Sequence, residues 1–150
     1  MAPRLVLTLP ALCAALFAVP AHAHPPQAQT APPTRQNDPQ DIAAIAGRVD
    51  LTSFPNSIGP RREPGKYSLA DYGFTHMRRD GNAVEFEPAD RSWVLRFTLL
   101  YRGGDNVQLC ILDRARNGGS YFTVRPVEFR MSSDGLYRAT GREIRSPSCM

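Results

Sequence analysis

From Tyr72 to Thr140 apolar and polar residues alternate with a period of two, and clusters of turn-forming residues cut the alternation at short intervals. Tyr72, Phe74 and His76 alternate with Gly73, Thr75 and Met77, and Arg79-Asp80-Gly81-Asn82 then carries an Asp-Gly hairpin signal. Val84 and Phe86 alternate with Glu85 and Glu87 up to a turn at Pro88–Arg91. Trp93, Leu95, Phe97, Leu99 and Tyr101 form one face of the clearest strand. After a turn at 102–106, Val107, Leu109 and Ile111 continue an apolar face, with Gln108 and Cys110 opposite. Asn117-Gly118-Gly119 turns into Tyr121–Met131, where Pro126 predicts a bulge or a sheet edge. Ser133-Asp134-Gly135 makes a last hairpin into Leu136–Thr140. Connections this tight make neighbouring strands antiparallel, because parallel pairs need long crossovers.

Ahead of the strands, Asp38-Pro39 reads as an N-cap and first helical residue. Ile42, Ile45, Ala46 and Val49 follow with helical spacing, and Gly47 weakens a helix expected to end by Asp50. Residues 52–66 hold Pro55, Gly59, Pro60, Pro64 and Gly65 and read as loop. The fold class this predicts is α+β, one N-terminal helix packed on an antiparallel meander of about six strands. The alternative is a small β-barrel with a helix across one end.

The first residues bear on location. Arg4, an apolar run over Leu5–Val19 and Ala21-His22-Ala23 read as a cleavable leader over 1–23, too short to span a bilayer. Residues 24–40, rich in Pro and Gln, read as a disordered tether, and 41–150 as a single α+β domain. The expected location is periplasmic or secreted, with no transmembrane segment in the mature chain. Cys13 would leave with the leader, so Cys110 and Cys149 are expected to form a disulfide.

The chain carries 18 basic and 14 acidic residues, interspersed, which does not call for a nucleic-acid partner. Catalytic chemistry has few carriers. His76 is the one histidine of the strand-rich region, and Ser53, Ser68, Ser120 or Asp71 would have to approach it for hydrolysis. Glu85 and Glu87 share a strand face and read as an exposed polar face, with Asp90 and Asp113 at turns or strand ends. Copper binding would use His22 and His24 beside a free amino terminus, with His76 as a further ligand. No ligand cluster or phosphate loop is evident, so no metal or cofactor is expected. Arg61, Arg62, Arg78 and Arg79 sit in or beside turns and are the candidate binding residues for an acidic partner. The expected function is therefore that of an exported, non-enzymatic binding module of the bacterial envelope, inhibitor- or immunity-like, with a protein or small-molecule ligand. A small hydrolase using His76 and a copper-binding protein are the alternatives.

Overall fold

A computed structural model describes residues 39–150. The leader, most of the tether, His22 and His24 lie outside the described residues. One α-helix, α1 (Pro39–Ala46), precedes six strands: β1 (Phe74–Asp80), β2 (Ala83–Pro88), β3 (Trp93–Gly103), β4 (Asn106–Ala115), β5 (Phe122–Met131) and β6 (Tyr137–Ala139). They form one antiparallel sheet in chain order.

The turns follow from the sequence. Asp80 pairs with Ala83 and Gly103 with Asn106, leaving two-residue loops that start at Gly81 and Gly104. Both glycines have φ of 56°, the left-handed conformation such hairpins require. One face of the sheet is apolar and inward: Val84 and Phe86, then Leu95, Phe97 and Leu99, then Val107, Leu109 and Ile111, then Phe129. Ile42, Ile45 and Ala46 of α1 cover it, together with Leu51, Phe54, Ile58 and Leu69 from the long connection.

Several expectations are corrected. α1 stops at Ala46, before Gly47, and Val49 leaves the helical stripe to make a parallel bridge with Tyr137. α1 lies against β1, β2 and β3, while Asp50 donates its amide to the Tyr137 carbonyl beside β6 (2.9 Å). The segment thus crosses from one half of the sheet to the other. β1 and β6 do not pair, so the sheet is open and the barrel alternative is overturned. Residues 52–66 are irregular as expected, apart from a short 3-10 turn at Gly59–Arg61, while Tyr72, expected to start the first strand, lies in a second 3-10 turn (Ala70–Tyr72) and β1 starts at Phe74; the connection supplies buried core all the same. Two bulges break the alternation. One near Thr75 puts His76 on the opposite face from Phe74, and one near Leu100 turns Tyr101 out to solvent, 54% exposed.

Pro126 sits within an unbroken β4·β5 register, opposite Cys110. The Ala115 amide donates to the Tyr121 carbonyl, which fixes the phase: residues 123, 125 and 127 bond toward β4, and 122, 124 and 126 face away from it. β6 reaches only as far as Phe129, with one further bond from the Thr140 amide to the Glu128 carbonyl. Pro126 therefore places its missing donor on an open edge and costs no ladder bond. The sequence signal for an edge holds there, and no bulge is needed. On the outward face, Cys110 is bonded to Cys149, which draws the C-terminal tail across the sheet.

Candidate functional site

Asp113 is the structural post of the candidate site. It lies on the inward face of β4 and is 1% exposed. A carboxylate there is costly unless every lone pair it turns inward finds a donor. Its Oδ1 accepts the Trp93 indole N–H (2.5 Å) and its Oδ2 the Ser57 amide (2.7 Å). Asp113 thus ties the 52–62 segment to the start of β3. Asn56 stiffens that segment from within: its side-chain amide donates to the Leu51 and Phe54 carbonyls, and its oxygen accepts the Ile58 amide.

Held in this way, the segment forms one wall of a cleft of about 460 Å³, with Tyr121 and Arg125 on the other. Arg125 occupies an inward-phase position of β5, opposite Ile111, and is half-buried. No described residue offers its guanidinium a hydrogen bond or a carboxylate. Arg62 reaches into the same cleft and donates to the Phe54 carbonyl (3.0 Å). Tyr121 packs its ring 5.4 Å from that of Trp93. Arg62 and Arg125 thus line one cleft with no acid among its lining residues, an arrangement suited chemically to a carboxylate or phosphate oxygen.

The outward face of β1–β3 has different electrostatics. Glu85, 7% exposed, receives hydrogen bonds from Arg78 and from Arg96 (3.0 Å), and Arg96 also reaches Asp80 (2.9 Å). Glu87 is bonded to Arg116. These acids are neutralised in place, which corrects the reading of Glu85 as an exposed polar residue. Burial pushes the Glu85 carboxyl up, but the hydrogen bonds from Arg96 and Arg78 outweigh it and leave the group below the usual carboxylate range. A carboxyl whose folded pKa is depressed contributes stability above its unfolded pKa and loses it as pH falls through the folded value. The stability difference between the wild type and Glu85→Gln is therefore expected to be largest near neutral pH and to shrink steadily in acid. Urea titrations from pH 7 to pH 3 check this; a difference that grows in acid would contradict it.

His76 is exposed on that face, opposite Glu87, in a groove of about 370 Å³ shared with Arg78, Glu85, Arg91 and Arg116. No hydroxyl lines it. Ser68 and Asp71 bond each other, and Ser53 bonds the Asp50 carbonyl and the Ala139 amide, so none of these is brought to His76. Nor do the four candidate arginines form one patch. Arg62 lines the Arg125 cleft, Arg61 a neighbouring groove, Arg78 is bound to Glu85, and Arg79 follows on the opposite face of β1. Arg125 was not among the candidates, and Asp113, expected at a turn or strand end, lies instead within β4 and is buried. Arg125 shares the inward phase of Val127 and Phe129, and an unmatched arginine at such a position was the available signal.

Among the described residues no group of three or more His, Cys, Asp or Glu side chains could hold a metal ion, and no helix is long and apolar enough to cross a membrane. Comparison with family models, curated proteins and solved structures finds no match to the chain.

Proposed function

We propose that the protein is an exported, non-enzymatic binding module of the bacterial envelope, inhibitor- or immunity-like, that grips an acidic group of its partner between Arg62 and Arg125. The observation that carries this reading is Arg125: a half-buried residue of the inward phase that lines a cleft where no described acid meets its side chain. Partly desolvating a cation without a partner is unfavourable, and an anionic ligand would offset that cost. The Cys110–Cys149 disulfide supports an oxidising compartment, and the leader-like first residues support export.

Citrate and poly-L-glutamate serve as probes of the cleft. Arg125→Met removes the charge and keeps the aliphatic stem. It is expected to leave Tm equal or raised while weakening binding of either probe about tenfold, the scale of one charge-assisted hydrogen bond. Arg91→Met, an exposed arginine outside the cleft, is expected to bind like wild type. Calorimetric titration at low salt reads both. Equal binding by wild type and Arg125→Met would remove the cleft from the account.

A further inference from the structure

The 56–62 segment that walls the Arg125 cleft also borders a wider groove, of about 780 Å³, through Ile58 and Arg61. The floor of this groove is aromatic. Trp93 and Tyr72 are half-buried in it, with Phe74 beneath, 6% exposed. Both partly open rings are fixed in advance. The Trp93 N–H is committed to Asp113 and its ring packs on Tyr121, while the Tyr72 hydroxyl accepts the Glu63 amide and donates to the Lys66 carbonyl. The rim offers hydrogen-bonding groups of both kinds. Asp90 spends Oδ1 on the Ser92 amide and hydroxyl, which also hold its carboxyl below the ordinary range, and it keeps Oδ2 for a ligand. Asn117 uses its oxygen on the Gly119 amide and keeps its N–H groups, and no described residue engages the Arg61 guanidinium.

A preformed aromatic floor bounded by carboxylate acceptors and by the Asn117 and Arg61 donors selects for a ligand with an apolar flank and a perimeter that both donates and accepts. Purely apolar ligands would desolvate Asp90 and Arg61 with nothing in return. Simple anions would meet Asp90, Asp71 and Glu63 on the same rim. A pyranose satisfies both demands, C–H groups on one flank and hydroxyls around the ring. We infer that this groove is a second binding site, independent of the Arg62–Arg125 cleft, and that it takes a pyranose ring of an oligosaccharide, stacked on Trp93 and Tyr72 and hydrogen-bonded by Asp90, Asn117 and Arg61.

Trp93 is the one tryptophan of the chain, so its emission reports on this groove and on the Tyr121 ring behind it, and Arg125→Met tells the two apart. Chitotriose, cellotriose and maltotriose, each titrated into the full-length protein up to millimolar concentrations, are the probes. The expected result is a saturable change in Trp93 emission with at least one of them. Asp90→Ala and Asn117→Ala change exposed side chains and are expected to leave Tm in place while weakening that sugar, about tenfold for the charge-assisted bond to Asp90 and about fivefold for the neutral bond from Asn117. Arg125→Met is expected to bind the sugar like wild type, which separates this site from the acidic-group cleft. Three trisaccharides without a saturable signal in emission or heat would overturn the inference. So would a sugar response that survives both rim variants and is lost in Arg125→Met.

Discussion

Replacing Asp113, 1% exposed, by alanine is expected to cost about 3–4 kcal/mol, because it leaves the half-buried Trp93 N–H and Ser57 amide without their acceptor. For a domain of this size that lowers Tm by roughly 15 °C. Asp113→Asn is expected to fall between, since its remaining carbonyl oxygen satisfies one donor while its amide confronts the other. Ser57→Ala is the informative control. It keeps the amide that bonds Asp113 and removes a buried hydroxyl that has no partner, so it is expected to be neutral or slightly stabilising. Thermal and urea denaturation followed by Trp93 emission reads all three. The functional consequence is larger than the stability figure, because Asp113 joins the walls of both clefts. At temperatures where Asp113→Ala is still folded, citrate and trisaccharide binding are both expected to weaken. An Asp113→Ala protein as stable as wild type would mean that the two bonds are not what holds the 52–62 segment.

The second large effect belongs to the disulfide. Cys110 and Cys149 are 39 residues apart, and cross-linking a loop of that length stabilises by up to about 4 kcal/mol in the chain-entropy account. The tail it holds has few other attachments. Between Gly141 and Ser148 the one ion pair to the sheet among the described residues is Arg142–Glu128 (3.5 Å), and Ile144 and Pro147 share a shallow pocket with Pro126. The double variant Cys110→Ala/Cys149→Ala, which leaves no free thiol in the folded region, is expected to lose most of the 4 kcal/mol in urea titration. Trypsin is expected to cleave after Arg142 and Arg145 well before the rest of the domain, in that variant and in the reduced wild type alike. A tail equally resistant with and without the bond would show that side-chain packing holds it.

Much of the sheet was legible because the physics that sets it is local. Period-two patterning fixed Val84, Phe86, Leu95, Phe97, Val107, Leu109 and Ile111 as one inward face, and Asp-Gly and Gly-Gly placed the hairpins. The disulfide was legible because two cysteines in the expected mature chain leave one pairing. What escaped depends on register and on distant contacts. Single extra residues near Thr75 and Leu100 shift the phase, so His76 and Tyr101 face away from the partners that simple alternation assigns them. The loop over 52–66 shows no periodicity, yet it buries Phe54 and Ile58, because apolar residues in an irregular chain find the core without a repeat to announce them. The candidate site suffered most. Asp113 and Arg125 are polar residues at inward positions, and only the tertiary fold shows that one is satisfied there and the other is turned to a cleft.

Pro126 has one more consequence, beyond the fold of a single molecule. Self-propagating fibres grow when each arriving chain finds a continuous row of donors and acceptors on the exposed rim of the last. Along β5 that row amounts to Phe122 and Val124 before the imino acid interrupts it. At the opposite rim, β1 presents Arg78, Arg79 and Asp80, and another copy stacked in register would set like charges against each other. Both margins of the open sheet thus carry features that work against templated polymerisation.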